Sequence, residues 1–228
     1  MALAALLAAG CGGPQSTLDP GGPAAAAIVT SWWLMFAAAT VAWTLVVVLA
    51  LLAMRRGRGL APASGTRLIV AGGVVLPTVL LAALLVHGTL TSDRVTGSGA
   101  DVEHVVRVTA RQWQWDFEYL DGDGGTLAAS TDLLVLPRGE MVEFRVGSVD
   151  VIHGFWIPRL GGKIDAIPGR TNVLRLRADG AGPMRGQCAE FCGLEHALMA
   201  FEVTVLEAPA FRAWMREHAA ADGPEAAP

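Results

Sequence analysis

Met141-Val142-Glu143-Phe144-Arg145-Val146 decides the fold of the C-terminal half. From Val142 onward apolar and charged side chains take turns, the period of a strand with one face in a core and the other in water. The pattern recurs outward from it. Val102, Val105-Val106-Arg107-Val108 and Leu133-Leu134-Val135-Leu136 precede it, and Val173-Leu174-Arg175-Leu176 follows. Asp121-Gly122-Asp123-Gly124-Gly125, Pro137-Arg138-Gly139-Glu140 and Ala178-Asp179-Gly180 punctuate these runs with turn-forming residues. Short strands at this spacing predict a β-sandwich or Greek-key barrel. No long amphipathic helix is expected between Val102 and Val205. Phe211 to His218 predicts a short terminal helix, and Ala219 to Pro228 a disordered tail.

Upstream the pattern changes. Apolar residues make up 53% of the chain and aromatics only 7%, and the excess lies in the first ninety residues or so. Ala24 to Met54 carries no charge, and about 20 apolar residues suffice to cross a bilayer. Trp32 and Trp33 stand near its start, where an interfacial belt would place them. Leu68 to Val86 is a second uncharged run, with Pro77 inside it as an expected kink. Arg55, Arg56, Arg58 and Arg67 fall between the two runs with no acid among them. The positive-inside rule makes that loop cytoplasmic and puts everything after His87 outside. Ahead of the hairpin, Ala8-Ala9-Gly10-Cys11 looks like a bacterial lipoprotein cleavage site, although no basic residue precedes it. A lipidated Cys11 and an uncleaved N-terminus both remain open. The chain thus divides into a signal-like N-terminus and linker (1–23), a transmembrane hairpin (24–92), an extracytoplasmic β-domain (93–210) and a terminal helix with tail (211–228). From Asp93 onward lie 13 of the 17 basic and 20 of the 21 acidic residues, so the net charge of −4 conceals an acidic outer domain. Such a domain repels nucleic acid and suits a cationic partner.

The chemistry is concentrated in Gln187-Cys188-Ala189-Glu190-Phe191-Cys192-Gly193-Leu194-Glu195-His196-Ala197-Leu198-Met199. Two cysteines alone in an extracytoplasmic domain would read as a disulfide. His196 and Met199 at fixed short spacing change that reading. Thiolate and thioether are soft donors and imidazole is borderline, a set that suits copper better than magnesium or calcium. Zinc also takes Cys and His, but Met199 argues against it.

The segment Cys188-x3-Cys192-x3-His196-x2-Met199 resembles the dicopper (CuA) signature of subunit II of the haem–copper oxidases. Trp156 to Arg170 is similar to the stretch that follows that family's upstream ligand histidine. Gln112-Trp113-Gln114-Trp115 with Phe117 and Tyr119 is similar to its aromatic patch. The likeness runs from about Ile28 to Phe211. It implies a two-helix transmembrane hairpin followed by an all-β, cupredoxin-like Greek-key barrel. It implies that Cys188 and Cys192 each bridge two copper ions, that His153 and His196 bind one each, and that Met199 and the Glu190 carbonyl complete the set. The Glu190 carboxylate would face a Mg or Mn ion shared with the catalytic subunit. Trp113 would be the surface aromatic through which electrons come in, although a plain core role is also open to it. Asp150 would fall at a docking position for the donor. The implied partners are oxidase subunits I and III, a c-type cytochrome and membrane lipid, at the plasma membrane of a bacterium with the β-domain on the periplasmic side.

Two departures and one rival complete the reading. The family often has a Glu in its second helix, about two turns before the Leu76-Pro77 pair, where this chain has Leu68-Ile69-Val70-Ala71-Gly72. Gln114 replaces an aromatic. Neither touches copper. The rival is a membrane-anchored copper-delivery protein. Its usual fold alternates strands and helices, against the all-β pattern here. No Cys-x-x-Cys-His is present to attach a c-type haem.

Overall fold

The structure, a computed structural model, describes residues 12–56, 62–180 and 182–219. Cys11 and the tail from residue 220 lie outside the described residues, and with them the lipidation expectation and nearly all of the expected disordered tail. The chain forms two compact units. Thr30–Ser92 is one, and the described residues up to Val29 join those from Asp93 onward in the other.

The first unit is helical. Helix α1 spans Pro23–Arg56. Pro23 opens it where the missing N–H has no intrahelical partner to lose, and an Ala- and Leu-rich run with high helix propensity carries it on. Its apolar side chains from Trp32 onward are largely exposed. That suits a helix whose solvent is hydrocarbon. Trp32 stacks on Phe36 one turn later, with ring centroids 5.1 Å apart. Helix α2 (Pro62–Val70) runs through a π-turn at Ala71–Val75 into helix α3 (Leu76–Thr96). The disturbance expected at Pro77 takes this form. Pro77 has no N–H to bond the carbonyl of Gly73, and its ring crowds that turn. A wider turn through Gly72 and Gly73 makes room, and Thr78 Oγ1 adds a hydrogen bond to the Val74 carbonyl at 2.7 Å. Two segments, Pro23–Arg55 and Ser64–Thr96, are long and apolar enough to cross a membrane. A hydrogen bond of 3.0 Å between Ser31 Oγ and His87 Nε2 ties them together, in keeping with polar side chains joining helices in lipid.

The second unit is a two-sheet, cupredoxin-like barrel. Its strands are β1 (His104–Arg111), β2 (Gln114–Leu120), β3 (Thr126–Thr131), β4 (Leu133–Pro137), β5 (Met141–Ser148), β6 (His153–Trp156), β7 (Ile164–Ala166), β8 (Asn172–Arg177), β9 (Met184–Cys188) and β10 (Ala200–Leu206). One sheet has the order β3-β2-β1-β5-β8 and the other β4-β10-β9-β6-β7. β1 pairs parallel with β5, and β10 parallel with β4. The remaining ladders are antiparallel. Val142, Phe144 and Val146 all point inward, as their alternation with Glu143 and Arg145 requires, although Glu143 is itself shielded beneath Arg145 and Arg175.

The aromatic alternation in β2 faces inward as well. Trp115, Phe117 and Tyr119 are buried. Trp115 packs at 5.6 Å from both Phe155 and Phe201, which stack on each other at 5.3 Å. Gly186 makes that stack possible, because a Cβ there would lie 2.0 Å from the Phe201 ring. The Tyr119 hydroxyl donates to the Val135 carbonyl at 2.9 Å and accepts from the Val135 N–H at 2.8 Å. Helix α4 (Ala208–Glu217) closes one end, with Phe211 buried and Trp214 against Tyr119. His104 begins the central strand of its sheet. There it meets Glu140 at 2.6 Å and the edge of Phe211.

The segment before α1 is bound to this barrel. The Gly21 N–H donates to the Arg159 carbonyl, and the N–H groups of Asp179 and Gly180 donate to the Gly21 carbonyl. The Arg159 guanidinium binds Asp19 through both the Asp19 carbonyl, at 2.8 Å, and its carboxylate, at 2.9 Å. Glycines at 21 and 22 permit the close approach, since a Cβ at Gly22 would lie 2.1 Å from the Arg177 carbonyl oxygen.

Candidate metal centre

The site is made where β9 and β6 end side by side. Antiparallel pairing sets Phe155 opposite Cys188, which brings His153, two residues earlier on β6, up beside the end of β9. The loop that leaves Cys188 is closed at its base by the Cys188 N–H, which donates to the Met199 carbonyl at 2.8 Å. Within it Gly193 adopts φ 125°, a conformation that side chains disfavour, and a short 3₁₀ turn follows at His196–Leu198. β10 then takes the chain back alongside β9.

This arrangement gathers the residues that the sequence singled out. Cys188 Sγ lies 3.7 Å from Cys192 Sγ, 3.8 Å from His153 Nδ1 and 3.2 Å from the Glu190 carbonyl oxygen. Cys192 Sγ lies 3.6 Å from His196 Nδ1 and 3.7 Å from Met199 Sδ. The donors therefore fall into two sets, one thiol with an imidazole and a carbonyl, the other with an imidazole and a thioether. Both cysteines are free. Their sulfurs stand well beyond the ~2.05 Å of a disulfide. The donor atoms of His153, Cys188 and Cys192 lie within 4.8 Å of one another, and all three residues are buried. Soft and borderline donors in a closed pocket fit copper, and two donor sets sharing two sulfurs fit a pair of ions.

Burial and hydrogen bonding set the protonation of these groups. Burial, and after it the neighbouring Cys188, pushes the Cys192 thiol up to about 12. A metal taking this sulfur must therefore displace a proton. His153 donates from Nε2 to Asp150 Oδ1 at 2.8 Å. That leaves Nδ1 as the lone-pair nitrogen facing Cys188. Burial works to raise the Asp150 carboxyl. Hydrogen bonds from His153 and from the N–H groups of Gln112 and Val151 outweigh it and hold the group at about 2. Asp150 is thus committed to orienting His153, a task that its expected place in donor docking had hidden.

Trp113 sits in the turn between β1 and β2, half-buried, outside the strand face formed by the other three aromatics. Its ring lies against Gly193, where a Cβ would meet Cζ2 and Nε1 at 3.3 Å. Sequence reasoning passed over Gln112, whose side chain donates to the Cys192 carbonyl at 2.6 Å. A polar residue between a strand end and a tryptophan carried no signal by itself. The Glu190 carboxylate is half-exposed and stands 3.4 Å from Lys163 Nζ. The loop also presents Phe191, Leu194 and Leu198 to solvent, Leu194 being 95% exposed.

A barrel of two mixed sheets whose strand ends gather Cys, His and Met side chains able to hold a metal defines a cupredoxin-like domain. Comparison with known proteins narrows the class. The family described as cytochrome C oxidase subunit II, periplasmic domain, matches residues 122–206. The cytochrome c oxidase subunit 2 of Alkalihalophilus pseudofirmus is 40% identical over 146 residues, covering 62% of this chain and 42% of that protein. That of Branchiostoma floridae is 30% identical over 158 residues, covering 60% of this chain and 68% of that one. The crystal structure of the periplasmic domain of subunit II of cytochrome oxidase from Bradyrhizobium japonicum is 31% identical, covering 52% of this chain and 94% of that one, with a TM-score of 0.48. The match spans less than half the length of the bacillar relatives, 42% and 43% in two of them. The chain belongs to the cytochrome c oxidase subunit II family.

Proposed function

We propose that this chain is the electron-accepting subunit of a respiratory terminal oxidase. It takes electrons singly from a c-type cytochrome and passes them to haem in subunit I, where oxygen is reduced to water. The observation that carries the reading is the pair of buried free thiols 3.7 Å apart, each with its own imidazole. Cys188, Cys192, His153, His196, Met199 and the Glu190 carbonyl would hold two copper ions. Bound there, a copper pair supplies a centre that takes up and releases one electron with little change in geometry.

The chain's own residues do the rest. Strands β6 and β9 and the closed loop fix the donors before metal arrives, which keeps rearrangement small. Asp150 sets the His153 tautomer. Met199 and the aromatic cluster of Trp115, Phe155 and Phe201 exclude water from below. Trp113, lying on Gly193, offers the π-system through which electrons come in. One half-exposed carboxylate does not hold a divalent cation alone. A Mg or Mn ion at Glu190 would draw its other ligands from subunit I. His87 is the one histidine within residues 24–92, so haem belongs to that subunit too. Subunit III and membrane lipid complete the surroundings, with no nucleic acid.

Copper titration of the full-length chain tests the centre. Two coppers per chain and an electron-spin spectrum shared over both nuclei are expected. A Cys188–Cys192 disulfide in copper-replete protein would overturn the reading. The orientation, with 24–92 as hairpin and 93–210 outside the bacterial plasma membrane, rests on the arginines between the spans. A reporter fused at Gly59 is expected to stay cytoplasmic, and one fused after Pro228 to be exported. The reverse pattern refutes that topology.

A further inference from the structure

We infer that Gln112 is a positioning residue, a clasp that holds the turn bearing Trp113 onto the copper-binding loop. The inference rests on the reading above that electrons come in through Trp113. Three observations carry it. Gln112 is bound at both ends: its Nε2 donates to the Cys192 carbonyl at 2.6 Å, and its backbone N–H donates to Asp150 Oδ2 at 2.7 Å. The other oxygen of Asp150 accepts from His153 Nε2 at 2.8 Å. One residue thus ties the turn to the cysteine side and the histidine side of the centre together.

The second observation is what the clasp leaves in place. The Trp113 ring covers Gly193, the residue after Cys192, so closely that a Cβ there would lie 3.3 Å from two indole atoms and 2.9 Å from Gln112 Nε2. The third is what Trp113 lacks. Its Nε1 is buried and has no hydrogen-bond partner. Most buried indoles are held by that N–H. Here the ring cannot be, and an unsatisfied donor favours its release into water. The anchoring falls to the neighbouring amide. Gln112 fixes the distance between the aromatic and the loop without touching the metal or its donor atoms.

The test uses the full-length chain with ¹⁵N-labelled tryptophan, both without copper and assembled in the oxidase. The Trp113 indole resonance is identified by its absence in W113F. In Gln112→Leu, solvent exchange of that indole N–H is expected to rise about tenfold, equivalent to about 1.4 kcal/mol. Q112E, the same size without a donor amide, is expected to match it. In the assembled oxidase at saturating donor, Q112L is expected to slow reduction of the centre with the copper spectrum retained. W113F and the double variant are expected to be equally slow, because Gln112 acts through the ring. Indole exchange unchanged in both Gln112 variants overturns the clasp. A double variant slower than W113F overturns its action through Trp113. W113F as fast as wild type overturns the uptake role of Trp113 itself, a separate failure that the exchange measurement does not share.

Discussion

Cys192→Ser is expected to erase the shared-electron spectrum and to lower copper affinity more than about a hundredfold, beyond the usual range for residues that only support a ligand. Cys192 is the hub of the centre. Its sulfur is within 3.7 Å of the other thiol, the His196 imidazole and the Met199 thioether. Serine is nearly isosteric, so packing changes little. Its hydroxyl is a hard donor that holds its proton far more tightly than a thiol. With one bridging sulfur gone, the two donor sets no longer share the atoms that couple them. The metal-free variant is expected to melt close to wild type, which separates loss of metal from loss of fold. Copper quantification, electron-spin spectra and thermal melts of the two proteins check this. Two coppers and an unaltered spectrum in the variant would refute a role for Cys192 as bridge.

Gly154→Ala is expected to disable the centre without altering a donor. A Cβ at Gly154 would lie 2.8 Å from the Ala189 carbonyl carbon and 3.0 Å from the Glu190 nitrogen. Those are backbone atoms of the loop between Cys188 and Cys192, which cannot swing aside as a side chain would. The loop must move away from β6, and the 3.8 Å approach of Cys188 to His153 is lost with it. Overpacking of this kind costs about 1–3 kcal/mol. Copper occupancy in Gly154→Ala is expected to drop sharply, with a lower melting temperature. Gly122→Ala, where a Cβ meets nothing within 4 Å, serves as the comparison and should load normally. Full copper loading of Gly154→Ala would show that the loop tolerates displacement.

The centre was legible to different depths in the sequence. Cys188, Cys192, His196 and Met199 lie within one loop, so spacing alone brought them together. His153 is 35 residues from Cys188, and only strand pairing makes them neighbours. Its selection came from resemblance in the flanking residues. The alternation of Trp113, Trp115, Phe117 and Tyr119 announced a common face but not its direction. Three of the four proved to be core, and the strand starts after Trp113. Asp150 was given a docking position by resemblance alone, and its bond to the imidazole three residues on left no mark in the sequence, because a carboxylate there looks the same whether it meets water or a histidine. The union of Gly12–Val29 with the barrel left no legible pattern, since many of its bonds run through backbone groups and paired glycines and its Arg159–Asp19 ion pair joins residues far apart in the chain.

That union bears on how the protein comes to be folded. Asp19 and Gly21 leave the ribosome before the hairpin, while Arg159 and Asp179 leave after it. The barrel cannot acquire its last contacts until a segment made early meets strands made late, across the whole intervening helical unit. Ring closure over such a length is entropically slow but adds little further cost per residue. A barrel produced from Asp93 onward would lack this piece and would leave Arg159 without Asp19. Its refolding rate would therefore describe a shorter closure than the one the intact chain must complete.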